Sequence, residues 1–160
     1  FVMVKNNNYN YFMKLALEEA IISFNEGEVP VGAVSVLNNR VLVKSGNKME
    51  KDKNPLQHAE MLVLLRSARI LYNLGQPIKF QKLDLYVTLE PCPMCAQAIS
   101  LMRIKNLYYG ADDLKGGGIK HGPKVFDQHS CNHRPTINSG ILAKESEKLL
   151  NDFFKKLRLK

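Results

Sequence analysis

The stretch Leu83-Asp84-Leu85-Tyr86-Val87-Thr88-Leu89-Glu90-Pro91-Cys92-Pro93-Met94-Cys95 decides how this chain is read. Its first seven residues are rich in Leu, Tyr, Val and Thr and predict a buried strand. Two prolines then bracket Cys92. Proline lacks the N–H that a helix start leaves unbonded in any case, so the prolines suit the first turn of a new helix, expected over about 94–102. The next apolar run, Leu107 to Tyr109, is the following strand. A strand thus feeds directly into a helix and the helix into another strand.

Upstream, Phe12, Met13, Ala16, Leu17, Ala20, Ile21 and Phe24 recur at spacings of three and four, which predicts an amphipathic helix. The Asn-rich run from Asn6 to Asn10 is its polar entry and Gly27 its stop. Val29–Leu37 and Val41–Val43 read as a hairpin turning at Asn38-Asn39-Arg40, followed by a loop through Gly46-Asn47 and Lys51–Pro55. A second helix is expected from near His58 to about Tyr72, ended by Gly75 and Pro77. Downstream, Gly116-Gly117-Gly118 and Pro123 mark a long irregular loop, and a last helix is expected from about 145 to 160. The order helix, hairpin, helix, strand, helix, strand fits one three-layer α/β domain over residues 1–160.

With 160 residues, 45% of them hydrophobic, the chain is far from a disordered composition. A chain of this size buries roughly 68–70% of its unfolded surface and needs no disulfide staples. The longest clean apolar run, Met61 to Leu65, is far short of the roughly 20 residues of a spanning helix. Three cysteines and no long apolar stretch near residue 1 make a reducing cytoplasm the expected compartment. The formal charge is +8, and +6 of it falls in residues 100–160. Such a balance favours a polyanionic partner or a solvated basic surface.

Two short segments carry chemistry: His58-Ala59-Glu60 and Pro91-Cys92-Pro93-Met94-Cys95. Imidazole and thiolate are preferred zinc ligands, and Cys92 and Cys95, three apart on a helix, project from one face. At a helix N-terminus they also feel the positive end of the dipole, which favours thiolate. His58, Cys92 and Cys95 make three ligands, which leaves a fourth position for water, as in a catalytic rather than a structural zinc site. Glu60 is two residues from His58, placed to move that water's proton without binding the metal. H-x-E followed by P-C-x-x-C is the pattern of zinc-dependent nucleobase deaminases. Cys131 as a fourth ligand would make the site structural instead.

Further segments extend the pattern: Glu28-Val29-Pro30-Val31-Gly32-Ala33-Val34, Asn47, Tyr109-Gly110-Ala111-Asp112-Asp113, Lys115-Gly116-Gly117, Asn132-His133-Arg134 and Asp152-Phe153-Phe154. Together with the zinc motif they closely resemble the bacterial tRNA-specific adenosine deaminases. The resemblance implies a cytidine deaminase-like α/β/α fold with a five-stranded mixed sheet, one zinc ion per subunit and a homodimer. It also implies conversion of adenosine to inosine at the wobble position of a tRNA anticodon, with an arginine tRNA as the expected substrate. On this likeness Asn47 hydrogen-bonds the flipped base, Asp113 contacts an anticodon-loop ribose, and Lys115 and Asn132 lie in RNA-contacting segments. On its own, Asn47 equally reads as a turn residue and Asp113 as a loop cap. The loop Gly118–Pro123 departs from the Gly-Ser-Leu pattern of many members. His121, His129 and His133 read as loop or core histidines.

The last helix joins both lines of reading. From Asn151 to Lys160 there are four basic residues and one acid beside the adjacent Phe153 and Phe154. Aromatic side chains stack on splayed bases while cations take phosphates, which is how single-stranded RNA is commonly held. Neighbouring residues on a helix point in different directions, so one Phe is expected in the core, with Phe154 and Arg158 toward the RNA. The competing readings are a deaminase of a free nucleobase or nucleotide, such as guanine or cytosine compounds, and a zinc-stabilised RNA-binding module without catalysis.

Overall fold

In the computed structural model, residues 8–76 and 82–160 are described. The expected helix stop at Pro77 and the first part of the asparagine run, Asn6 and Asn7, lie outside them. Helix α1 (Tyr9–Asn25) is followed by strands β1 (Gly32–Leu37) and β2 (Arg40–Gly46), then helix α2 (Ala59–Asn73). Strand β3 (Leu83–Leu89), helix α3 (Pro93–Leu101), strand β4 (Asn106–Ala111), strand β5 (Thr136–Asn138) and helix α4 (Ala143–Arg158) complete the order. The strands form one mixed sheet in the order β2-β1-β3-β4-β5. β1 is antiparallel to both β2 and β3, whereas β4 runs parallel to β3 and β5 parallel to β4.

Side chains alternate along each strand and so serve two cores. Ala33, Leu83, Leu85, Val87, Leu107 and Tyr109 face the layer that holds α2 and α3. Val34, Val36, Tyr86 and Tyr108 face the opposite side, against Phe12, Met13 and Ala16 of α1. Tyr86 and Tyr108 stack there with ring centroids 4.4 Å apart. α1 lies so close to the sheet that a Cβ on Gly32 would collide with the backbone carbonyl of Ala16.

Three details differ from the sequence reading. The hairpin turn is two residues long, Asn38 and Asn39, both with positive φ, and Arg40 already belongs to β2. Asparagine tolerates that conformation, which matches the twist of the paired strands. β2 also runs on to Gly46, pairing with β1 on both sides of a register shift between Ser35 and Val36. The Val43 N–H donates to Ser35 Oγ at 3.1 Å, and Ser35 Oγ pairs with Ser67 Oγ of α2 at 2.8 Å. Finally, β5 is three exposed residues at the sheet edge, too short to give an alternation signal.

The topology fixes where a site forms. β2 and β3 point the same way, since both are antiparallel to β1, and β4 follows β3. The ends of β2, β3 and β4 therefore lie along one edge of the sheet, where α2 and α3 begin and where β1 starts. Sites in α/β sheets sit at such carboxyl edges. Among the described residues, no helix is long and apolar enough to cross a membrane. Gly32→Ala should lower the unfolding free energy by about 1–3 kcal/mol, since α1 would have to lift off the sheet; urea denaturation read by circular dichroism measures it.

Candidate active site

α2 and α3 start with residues of the same kind of backbone. His58 (φ −69, ψ 149) and Cys92 (φ −69, ψ 169) are the N-cap residues, both extended. Neither side chain caps its own helix; the two turn toward each other across the sheet edge. His58 Nδ1 lies 3.7 Å from Cys92 Sγ and 3.6 Å from Cys95 Sγ. Tetrahedral bonds of about 2.3 Å to sulfur and 2.0–2.1 Å to nitrogen would separate N from S by about 3.6 Å. One imidazole and two sulfurs at that spacing form a donor set that fits zinc, with all three atoms within 4.8 Å of one another.

The same geometry tunes the three groups. The hydrogen bond from Cys95, and then His58, hold Cys92 down at about 4 against the opposing effect of burial. Cys95 is pushed up by the same pairing and by its burial. His58 is raised, chiefly by its bond to Cys92. Glu60, in the first turn of α2 and only 4% exposed, has its carboxyl pushed up to about 7 by burial. Its own backbone N–H and the His58 charge pull the other way. Cys131 is not part of this group. Its sulfur sits 3.4 Å from Ser100 Oγ and 3.2 Å from the His133 carbonyl, half-buried in a separate cluster.

Asn47 is no turn residue. It is buried at the end of β2, where its Oδ1 accepts the Ala59 N–H at 2.8 Å and its Nδ2 donates to the Val29 carbonyl at 3.1 Å. It thereby satisfies an N–H at the start of α2 that the His58 side chain leaves open. Only one of its two amide hydrogens is spent on Val29, which leaves a second donor on Nδ2.

Two further glutamates carry roles that the sequence reading missed. Glu28, fully buried, accepts the backbone N–H groups of Glu50 (3.1 Å) and Lys51 (2.8 Å) and so holds the loop that leads to His58. Glu90, also buried, accepts the Ile119, Lys120 and His121 N–H groups on Oε1. Its Oε2 takes the Asp113 N–H at 2.9 Å and the His121 ring at 2.8 Å. Burial opposes ionisation of Glu90, but these bonds outweigh it and hold its carboxyl below the usual range. Both glutamates stand inside quoted motifs, Glu28-Val29-Pro30 and Glu90-Pro91-Cys92. An acid beside an apolar strand was the available signal.

The comparisons with known proteins agree with this site. The MafB19-like deaminase family description matches residues 6–158. The tRNA-specific adenosine deaminase of Agrobacterium fabrum is 46% identical over 149 residues, 93% of this chain and 95% of that protein. The chain belongs to the tRNA-specific adenosine deaminase family. Its relative in Bacillus subtilis, named for the same activity, is 38% identical over 93% of this chain and 90% of that protein. A solved structure from work on A-to-I editing by tRNA:A34 deaminases superposes with a TM-score of 0.81 at 46% identity, covering 88% of this chain and 99% of that one. The guanine deaminase of Nitrosomonas europaea, at 18% identity and a TM-score of 0.71, shares the fold. The five-stranded mixed sheet and the deaminase assignment expected from the sequence both hold.

In this member of the tRNA-specific adenosine deaminase family the remaining expected contacts fall in two places. Asp113, Lys115, Phe154 and Arg158 line one cleft of about 730 Å³, with Val29 and Leu89 among its apolar walls. Asn132 lies elsewhere, with Gln97, Arg103 and His133 around a cavity of about 130 Å³ at the far end of α3. Phe153 is buried at 8% exposure and meets Phe24, while Phe154 is 41% exposed, the expected division between the two. Asp113 Oδ1 accepts the Lys115 and Gly116 N–H groups, so it is also a loop cap. His121 binds Glu90 and the His133 ring binds the Ile104 carbonyl at 2.6 Å, while His129 is exposed. Asn47→Ala leaves the Ala59 N–H buried without a partner and should cost about 1–2 kcal/mol of stability, read by urea denaturation of the metal-free protein.

Proposed function

We propose that this chain is a zinc-dependent deaminase that converts adenosine to inosine at the wobble position of a tRNA anticodon, with an arginine tRNA as substrate. The observation that carries this reading is the open set of three zinc donors beside a buried, non-ligating glutamate. One zinc ion per subunit would be held by His58 Nδ1, Cys92 Sγ and Cys95 Sγ. Bound there, zinc supplies Lewis acidity that activates water at neutral pH.

Glu60 is the proton carrier. Its carboxylate takes a proton from the attacking water, delivers it to the ring nitrogen of the base, and later protonates the departing amine. Water and adenosine thus give inosine and ammonia. Asn47, with its spare Nδ2 hydrogen, orients the base over the metal site. Its bond to Val29 links it to the cleft that holds Asp113, Lys115, Phe154 and Arg158. The anticodon loop lies in that cleft, Phe154 stacking on a splayed base, Arg158 and Lys115 reaching backbone groups and Asp113 a ribose. Asn132, outside the cleft, contacts a more distant part of the stem-loop.

Residues 1–160 act as one domain in the cytoplasm and pair as a homodimer. An apolar face across α2 and α3, with Leu65 and Leu101 both more than 60% exposed beside Met61 and Ala68, supports the pairing. A deaminase of a free base would use the same zinc set but has no need of the cleft and its aromatic helix. A non-catalytic zinc module has no need of Glu60.

Incubation with total tRNA followed by sequencing should find inosine confined to one wobble position; inosine scattered over many sites would refute the wobble assignment, and none at all the tRNA assignment. Glu60→Ala should retain one zinc per chain by elemental analysis yet lose turnover by about 10²–10⁴-fold. Full activity would remove Glu60 from the mechanism. Truncation after Asp152 should weaken tRNA binding in a filter assay while zinc content stays constant.

A further inference from the structure

The segment Gly118–Pro123 closes on Glu90. Five hydrogen bonds converge on that one carboxylate, and all five donors come from residues 113–121. Glu90 lies in the short connection between β3 and the helix that carries Cys92 and Cys95, and Gly118 N–H donates to the Pro91 carbonyl at 2.8 Å. Two glycines make the approach possible. A Cβ on Gly117 would stand 2.6 Å from the Glu90 carboxyl carbon, and one on Gly118 2.6 Å from Pro93 N.

We infer that Glu90 is a positioning residue for RNA recognition: through its bonds to the loop 113–121 it sets Asp113 and Lys115 at the mouth of the cleft. This rests on the reading of the cleft as the RNA site. Two carboxylates act in series. Glu90 Oε2 fixes the Asp113 backbone, and Asp113 Oδ1 in turn fixes the N–H groups of Lys115 and Gly116. Apolar packing does little of this work. Ile119 is the loop's one apolar side chain in the core, and Leu114 is 76% exposed. Loss of the Glu90 charge would free the loop and leave the sheet and α3 packed.

Glu90→Gln keeps the size but turns amide hydrogens toward backbone donors, so the bonds on one side are lost. For deamination of an anticodon stem-loop, KM should rise about tenfold while kcat changes less than about threefold and zinc stoichiometry stays at one. Stem-loop affinity by fluorescence anisotropy should fall in parallel. A drop in kcat and zinc content with KM unchanged would overturn the proposal and make Glu90 a support of the metal helix only. Phe154→Ala and Arg158→Ala separate the two ideas. If they weaken binding and Glu90→Gln does not, the positioning role fails alone; if neither weakens it, the cleft reading fails and takes this proposal with it. Should Glu90→Gln not fold, His121→Ala removes one donor from the half-exposed side. KM should then rise about threefold at constant kcat, and an unchanged KM would overturn the proposal.

Discussion

The structure turns on the meeting of two helix N-termini, with His58 Nδ1 3.6–3.7 Å from two sulfurs of the other helix. Neither helix could bring this about alone. α2 starts after β2 and α3 after β3, and the two strands share a direction because each is antiparallel to β1, which lies between them. Both helix starts therefore reach the same sheet edge, with their positive ends toward the thiolate-forming pair. The close seat of α1 on Gly32 and the bulge at Ser35 serve the same end, because they set the height and register at which β1 and β2 run.

Three buried glutamates border this edge, and their hydrogen-bond partners separate their roles. A buried carboxylate loses hydration, and only donors can restore the stability of its charged form. Glu90 has five and is held ionised. Glu28 has two backbone donors and ties down the loop that enters α2. Glu60 has little beyond its own N–H and the Cys95 thiol, and burial pushes its carboxyl up to about 7. The first two are spent on architecture. Glu60, whose carboxyl burial pushes toward the protonated form, is on the proposed reading the one that takes up and releases a proton.

The sequence was most informative where one element speaks for itself. Periodicity marks α1 and α2, an apolar run marks β3, and spacing marks the His58, Cys92 and Cys95 set. What remained hidden depends on partners far along the chain. β5 has three exposed residues and exists because β4 offers a free edge. Asn47 reads as a loop residue until its amide is seen capping a helix that starts twelve residues later. Glu90 carries no local sign of the five donors that reach it from more than twenty residues downstream. Hydrogen bonds of this kind leave no periodic trace, so pattern reading passes over them.

The charge asymmetry takes on a different meaning once it is placed in space. The cleft is not a basic groove: Asp112, Asp113 and Glu147 stand among its lining residues beside Lys115 and Arg158. Asp112 is paired with Lys120 at 3.1 Å. Much of the excess lies toward the end of α4 and just past it, at Lys155, Lys156 and Lys160, all exposed. Exposed cations attract a polyanion over about a Debye length and lose that pull in salt, whereas stacking and hydrogen bonds act only at contact. On the proposed reading the two functions are divided along one helix. Its lysines gather RNA from solution, and its inner face, Phe154 with the loop that Glu90 holds, distinguishes an anticodon loop from any other strand.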